Sequence, residues 1–310
     1  MSLQEYFHDL AEGDNALSHT NLTQLSGLAG NELRSLEGEW PFIPADRRQR
    51  LVDRLVDMAE GDVDLDFTGV LRQCLQDDDP GVRDKAVNGL WECDDRTLIT
   101  PFIQLMSSDP EERVRASAAI SLGKFSTLAV FGKLLPKDRD MLEEILISVA
   151  KNDKESLEVR RRALESVAVF NTDDINALIH QGYQSLEINM RISAVYAMGR
   201  TCEAEWLPDI LHELDDHNPS MRYEAAVACG ELGEERAIPY LIPALEDEDI
   251  QVQISAVRSL GALGGSLAKR ALQRCLELPE PMVQDAAKEV LEEMDADDDP
   301  LNIGLGRDAG

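Results

Sequence analysis

The chain has 310 residues, of which 43% are hydrophobic, and its 60 acidic against 30 basic side chains give a formal net charge of −30. Because duplex DNA and anionic membranes are recognised through basic patches, this charge argues against nucleic-acid and membrane partners. The acids are spread along the whole length, which indicates general surface acidity suited to a salty cell interior; attraction of a basic partner is the alternative.

Targeting and redox features of the sequence favour the cytoplasm. There is no apolar run of the roughly 18 residues that a membrane span requires. Residues 1–10 lack the basic start and apolar centre of a signal peptide. The five cysteines are scattered and form no C-x-x-C pair, so we interpret them as small core residues of a reduced, cytoplasmic protein.

The first sixty residues do not follow the pattern of the rest of the chain. Their apolar spacing predicts a short helix over residues 2–11, one or two helices over 21–39 and another over 46–59. Residues 40–44 read W-P-F-I-P, whose prolines disfavour helix at the residue before each of them. We interpret residues 1–60 as an N-terminal helical cap, because the end of a repeat array must differ from its interior.

From residue 61 to 294 the sequence is organised by a thirteen-residue segment that recurs seven times. Counting its first apolar residue as position zero, the copies start at Val82, Val114, Val159, Met190, Met221, Val252 and Met282. The steps are 32, 45, 31, 31, 31 and 30 residues. Apolar or small residues recur on one helical face, with alanine always at +4 and mostly small residues at +7 and +9. We predict an all-α fold, an α-solenoid in which the small residues allow close helix contact.

Two segments interrupt this period. The step of 45 contains an insertion over about residues 125–138, where Gly132 and Pro136 predict a protruding loop. Residues 295–310 begin with an acidic run and leave the helical pattern, so we predict a disordered acidic tail. Its apolar residues leave a short docking motif as an alternative: Leu301, Ile303 and Leu305.

The pattern V-R-x-x-A-A-x-x-L-G after an acidic turn, with A-I-P-x-L in the other helix of the unit, resembles the HEAT repeat family. More closely, it resembles the HEAT-like repeats of the phycobilin-lyase type, over about residues 66–294. The resemblance implies antiparallel helix pairs stacked into a right-handed superhelix, with the V-R helices lining its concave side. It also implies a structural ladder between turn aspartates and helix arginines, for which the matching pairs are Asp109/Arg115, Asp153/Arg160 and Asp216/Arg222. Gln253 and Val283 stand where the last two arginines would be, which weakens the ladder there.

Candidate chemistry is sparse in the sequence. The nearest approach to a zinc motif is His212-Glu213 with His217, but five residues turn the second histidine about 140° away from the first on a helix. Deoxyhypusine hydroxylase, an iron enzyme with similar repeats, requires several His-Glu pairs, whereas this chain has one. We therefore predict no metal, no cofactor and no catalytic residues, and a non-catalytic role is favoured over an enzyme.

A binding surface is the more productive hypothesis. Positions +2 and +6 lie beside the buried stripe, and in the later copies they are apolar or aromatic. Packing between repeats would explain apolar residues at +2 but not at +6. If these side chains are exposed together, they form a patch of the kind that marks a partner site. The candidate partner-binding residues are Ile192, Tyr196, Tyr223, Glu224, Val227 and Ile254. We predict an interaction scaffold that binds a protein or peptide, with a basic one as an option, in the concave groove. The alternative is a lyase-type accessory protein that acts on a protein-bound chromophore or cofactor.

Overall fold

The repeated pattern folds into pairs of helices. A computed structural model describes residues 3–12 and 16–298, whose regular structure consists of α-helices and short 3-10 turns. Within these residues there is no β-strand, and no helix is both long and apolar enough to cross a membrane. The all-α, α-solenoid class is therefore confirmed.

The chain divides into two compact units, residues 1–166 and 167–310. In the described part of the first unit, pairs of helices follow two short N-terminal helices. These are α1 (Leu3–Glu12), α2 (His19–Leu22), α3 (Asn31–Glu39), α4 (Ala45–Gly61), α5 (Thr68–Cys74), α6 (Pro80–Gly89), α7 (Ile99–Ser108), α8 (Glu112–Val130), α9 (Pro136–Ala150) and α10 (Leu157–Val167), whose last residue belongs to the second unit.

The second unit repeats the same arrangement with shorter connections. Its helices are α11 (Asp173–Tyr183), α12 (Ile188–Thr201), α13 (Leu207–Glu213), α14 (Pro219–Leu232), α15 (Ile238–Ala244), α16 (Ile250–Leu263), α17 (Gly265–Cys275) and α18 (Pro281–Asp298). We call the odd-numbered member of each pair, from α5 onward, the first helix and the even-numbered member the second helix. In this unit the second helices α12, α14, α16 and α18 pack against one another in sequence order.

Each second helix buries the alanine at +4. All seven of these residues are inaccessible to solvent: Ala86, Ala118, Ala163, Ala194, Ala225, Ala256 and Ala287. The last of them, Ala287, corrects the predicted register of the seventh copy. The sequence pattern places position zero of that copy at Met282, which is 55% exposed, whereas Val283 is fully buried. Position zero of the last copy is Val283, and its step from Val252 is 31 residues, like the three before it.

Small residues bring neighbouring second helices into direct contact, as their pattern predicts. A Cβ added to Gly199, at +9 of α12, would lie 2.8 Å from Cα of Ala228, at +7 of α14. A Cβ on Gly230 would likewise lie 2.6 Å from Oγ of Ser259. The Ser259 hydroxyl donates to the carbonyl of Ala226 at 2.7 Å, so the contact also satisfies a buried polar group. The helices therefore meet at backbone distance, in the same register from one repeat to the next.

An arginine–carboxylate ladder crosslinks the turns between helices. Arg222, at +1 of α14, donates through Nη1 to the carbonyl of Asp216 at 2.9 Å, in the turn before its own helix. Its Nε and Nη2 bind both oxygens of Asp247, in the following turn, at 2.7 and 2.8 Å. Asp247 also accepts the Asp249 N–H at 2.8 Å, which fixes the carboxylate within its turn. The Arg222 guanidinium thus joins two successive turns.

This geometry corrects the predicted pairs. Arg115 contacts only the carbonyl of Asp109, while its carboxylate partner is Glu155 at 2.9 Å. The carboxylate of Asp109 instead binds Arg83 of the preceding repeat at 2.7 Å. The reason is that the guanidinium reaches past its own turn, so pairs chosen within one repeat are offset by one repeat.

The remaining rungs show where the ladder holds and where it weakens. Arg160 and Asp153 do pair within one repeat, at 3.0 Å, but Asp153 is exposed. In the second unit, Arg191 binds the buried Glu213 at 3.1 Å, with Asp216 further away at 3.8 Å. At the last two rungs a glutamine keeps the contact to the preceding turn without the carboxylate pair: Gln253 to the carbonyl of Asp247, and Gln284 to that of Leu278. Gln284, and not Val283, takes the arginine position there, in keeping with the corrected register.

The predicted cap contains a hidden repeat helix. α4 packs against α6 as the later second helices do, and Arg48 binds Asp77 at 2.8 Å in the manner of the ladder. Its position zero is Arg47 and its +4 residue is Leu51, so the apolar anchor and the alanine that reveal the other copies are missing. The boundary at residue 60 remains a prediction.

Two other segments differ from expectation. Residues 125–138 do not form a protruding loop, because α8 continues to Val130 and α9 starts at Pro136, which confines the loop to residues 131–135. The extra length of this repeat is therefore mostly helical. At the other end, α18 continues to Asp298, and Asp295 pairs with Lys269 at 2.6 Å. Residues 299–310 of the predicted tail lie outside the described residues.

The close contact at position +9 generates a first prediction. Substituting Gly199→Ala adds a methyl group that must displace the backbone of α14, so the free energy of unfolding should fall by about 1–3 kcal/mol. Urea denaturation followed by circular dichroism measures this. The matched control is Gly38→Ala in α3, where the added Cβ has no neighbour within 4 Å; this change should be neutral or stabilise by up to about 1 kcal/mol. Equal effects of the two changes would contradict a close-contact role.

The ladder generates a second prediction. Arg222 and Asp247 have side chains that are 9% and 10% exposed, so Asp247→Asn leaves a buried guanidinium with only the exposed Glu248, at 3.3 Å, as its counter-charge. We expect a loss of about 3 kcal/mol in urea denaturation at pH 7, most of which the double change Arg222→Leu/Asp247→Leu should recover. Arg236→Gln, which removes the exposed pair with Glu234, is the control and should cost less than about 1 kcal/mol.

The pH dependence of that loss follows from the aspartate. Burial raises the pKa of Asp247, but hydrogen bonds from Arg222 and from the Asp249 N–H, with the arginine's charge, outweigh burial and lower it below its ordinary value. A lowered folded-state pKa stabilises the fold above the unfolded value, near pH 4, and the stabilisation disappears as pH falls through the folded value. The difference between wild type and Asp247→Asn should therefore shrink below about pH 4. A constant difference from pH 7 to pH 3 would be inconsistent with the ion pair.

Candidate interaction surface

The predicted partner-binding residues lie in one row on three neighbouring second helices. Positions +2 and +6 of α12, α14 and α16 place five apolar or aromatic side chains beside the buried stripe; we call them the apolar row: Ile192, Tyr196, Tyr223, Val227 and Ile254. Tyr223 is 38% exposed and the others are half-buried. The row therefore both packs between repeats and reaches solvent. Its location on a concave side stays a prediction.

A cavity of about 370 Å³ lies between α14 and α16, beside their close contact. Tyr223 and Val227 line it from α14, and Ile254 faces them from α16. The helices approach most closely at their small residues, and Gly230 and Ser259 form part of the cavity wall. The same contact that packs the two helices thus leaves a groove beside it.

A second cavity of about 330 Å³ adjoins the first. Ile192 of α12 lines it, together with Tyr223 and Glu224 of α14. Tyr223 belongs to both cavities, so the two join along a surface that crosses three helices. Of the six predicted residues, Tyr196 lines neither cavity. Tyr196 and Glu224 both make interactions with other groups of the chain.

Some residues at this surface were missed in the candidate set. Arg258 occupies +6 of α16 and lines the larger cavity, and Pro219, two residues before position zero of α14, lines the smaller one. The signal that would have found Pro219 is the same helical ridge extended by one turn, since −2, +2 and +6 are four residues apart. Ile188 holds that −2 position in α12 and is 36% exposed.

One turn near the row is apolar where its equivalents are polar. Leu186, four residues before position zero of α12, is fully exposed, whereas His217 and Glu248 hold the same place before α14 and α16. Exposure of a leucine in a turn has no packing explanation here. It extends the exposed apolar surface towards the N-terminal ends of the second helices.

The charges around the row are mostly engaged. Glu231, in the larger cavity, pairs with Arg200 at 3.4 Å, and Asp249 caps α16 by accepting the Gln251 N–H at 2.8 Å. Arg258 is exposed and makes no ion pair with any described residue. With the corrected register, +2 and +6 of α18 are Asp285 and Glu289, both exposed. Positions +2 and +6 therefore change from apolar in α12 and α14, through Ile254 and Arg258 in α16, to acidic in α18.

The sequence motif that comes nearest to a zinc site is His212-Glu213 with His217, and its carboxylate is engaged by other side chains. Glu213 is buried, accepts the Tyr183 hydroxyl at 2.6 Å and pairs with Arg191, so its carboxylate is already used. Burial, followed by the hydrogen bond to Glu213, raises the pKa of Tyr183 above its ordinary value. His212 and His217 are both exposed. Within residues 3–12 and 16–298, no group of three His, Cys, Asp or Glu side chains is arranged to hold a metal ion.

Comparison with known proteins places this geometry in a family. A model of HEAT repeats matches residues 68–150 and 207–292. A search of curated protein sequences found no match. Among solved structures, yeast importin-beta (Kap95p) is similar, with a TM-score of 0.55 at 13% identity, over 94% of this chain and 46% of that one.

Two other similar structures have lower scores. The complex of CpcE and CpcF of phycocyanin lyase from Nostoc sp. PCC7120 has a TM-score of 0.46 at 14% identity, over 95% of each chain. Human deoxyhypusine hydroxylase has a TM-score of 0.37 at 17% identity, over 94% of each chain. These likenesses concern the fold alone.

The family match covers more than half of the chain and coincides with helix pairs that share the buried alanine and much of the arginine ladder. The chain belongs to the HEAT repeat family.

Proposed function

We propose that this protein is a non-catalytic scaffold that binds a protein or peptide partner through the apolar row and its two cavities. The observation that carries the proposal is Tyr223, which is exposed and lines both cavities. A tyrosine offers a large contact area at low conformational cost and is enriched at the energetic centres of interfaces. A partner side chain inserted beside it would contact three successive helices.

The way the polar groups around Tyr223 are engaged is compatible with a binding role. The carboxylates that approach the cavities are held in place: Glu231 by Arg200, and Asp249 by the first turn of α16. Serine hydroxyls in the larger cavity are used in the same way, because Ser255 donates to Val252 and Ser259 donates to Ala226. Groups fixed by the stack shape the surface and leave recognition to the side chains between them.

The net charge adds a long-range preference to this surface. A formal charge of −30 attracts a partner whose own surface is basic, and this attraction raises the rate of encounter more than the final affinity. The contact area of the apolar row then holds the partner at short range. A protein of the same intracellular compartment, which we propose to be the cytoplasm, is the partner to look for.

Substitution of Tyr223 tests the proposal. Affinity purification with tagged full-length chain identifies a partner, whose dissociation constant is then measured for wild type and Tyr223→Ala. We expect Tyr223→Ala to weaken binding by about thirtyfold, because truncation of an interface centre costs roughly 2 kcal/mol. The change should leave the far-ultraviolet circular dichroism unaltered, since Tyr223 is exposed.

Tyr240→Ala is the matched control. Tyr240 is also an exposed tyrosine of the second unit, 55% accessible, but it lies on the first helix α15. This control should bind the partner like wild type. Equal losses in the two variants, or none in Tyr223→Ala, would contradict binding at the apolar row. A bound chromophore detected by visible absorption would instead favour the lyase-type accessory role.

A further inference from the structure

The cavity between α14 and α16 has an unusual polar composition. The two wall serines at +3 and +7 of α16 have already donated their hydroxyl protons to backbone carbonyls, Ser255 to Val252 at 2.8 Å and Ser259 to Ala226 at 2.7 Å. Glu231, an acceptor in the wall, is paired with Arg200. Three of the polar side chains that line this cavity are therefore already engaged with other groups of the chain.

The polar side chains that remain are Tyr223, Gln251 and the cation Arg258. Arg258 lines the cavity with a guanidinium that forms no ion pair with the described residues, and this in a chain with 60 acids against 30 bases. The Tyr223 hydroxyl has no hydrogen-bond partner among those residues either. A guanidinium has five N–H donors and no acceptor. A ligand group that satisfies it must be an acceptor, and a carboxylate does so best because the bond is then charge-assisted.

The remaining wall is apolar. Val227 lines the cavity from α14 and Ile254 lines it from α16, and Tyr223 also forms part of the wall. A volume of about 370 Å³ accommodates one or two aliphatic side chains, and Arg258 in its wall is exposed to solvent. The volume of the cavity and the charge of Arg258 together fit a ligand that has a carboxylate next to an apolar group.

We infer that this cavity recognises a partner segment in which an aliphatic side chain is adjacent to an acidic residue, with Arg258 binding the carboxylate. The inference rests on the proposed function, since it specifies the chemistry of the partner at the same surface. It also sharpens that function, because a partner that is basic overall, drawn in by the net charge, is selected at short range by one carboxylate.

Short peptides that differ in a single charge test this inference. The probes are acetyl-Gly-Asp-Leu-Ile-Gly-amide, its Asn version and its Lys version, added to the full-length chain at 0.15 M salt, where charges beyond about 8 Å are screened. The chain carries 3-fluorotyrosine, and the fluorine resonance of Tyr223 is assigned with Tyr223→Phe. Movement of that resonance reports occupancy of the cavity directly.

We expect the Asp peptide to bind about fivefold more tightly than the Asn peptide, as for an ion pair that keeps some solvent. Arg258→Gln should remove this preference, and Arg258→Lys should restore part of it because a point charge replaces the planar donor group. Arg236→Gln, which alters a 68% exposed arginine side chain outside the cavity, is the control and should keep the full preference.

Three outcomes would overturn the inference: equal binding of the Asp and Asn peptides, tightest binding of the Lys peptide, or a preference for Asp that survives Arg258→Gln. The two proposals can fail separately. If a partner is lost in Tyr223→Ala but retained in Arg258→Gln, the scaffold function stands and the carboxylate inference fails. If Tyr223→Ala leaves partner capture unchanged while the Asp peptide binds through Arg258, the scaffold function fails and the inference stands.

Discussion

The contact of small residues between successive second helices is the constraint on which the rest of the structure depends. Gly199 against Ala228, and Gly230 against Ser259, bring the backbones so close that a single methyl group would collide. Helices held at this distance keep a common register, in which position +9 of one helix meets +7 of the next. The row of partly exposed side chains, and the grooves within it, are consequences of that register.

The arginine ladder supports the same register from the turns. Because Arg222 joins the carbonyl of one turn, at Asp216, to the carboxylate of the next, at Asp247, it fixes the spacing at the N-terminal ends of two second helices, and Arg83 does the same with Asp77 and Asp109. The rungs at Gln253 and Gln284 have only the carbonyl half. These two rungs therefore lack the charge pair that Arg222 forms with Asp247.

The fold was largely predictable from sequence because one period repeats seven times, and the buried alanines at +4 verify it. The incorrect predictions have physical causes. In α4 the apolar anchor and the alanine are replaced by Arg47 and Leu51, so its repeat pattern is not recognisable. In the seventh copy two apolar residues follow each other, Met282 and Val283, and the pattern alone does not show which of them is buried. Ladder pairs were assigned within repeats because sequence distance does not show how far a guanidinium reaches. For the surface, spacing located Tyr223 and Ile254, but only the geometry of neighbouring helices shows that they share a cavity with Arg258.

The central claim is that the outward row of the second helices, and not the first helices, contacts a partner. Hydroxyl-radical footprinting of the full-length chain, with and without the purified partner, measures this for each side chain. We expect oxidation of Tyr223 to fall severalfold in the complex, while Tyr240, which is at least as exposed, is oxidised equally in both states. Protection of Tyr240 with unchanged oxidation of Tyr223 would contradict this claim.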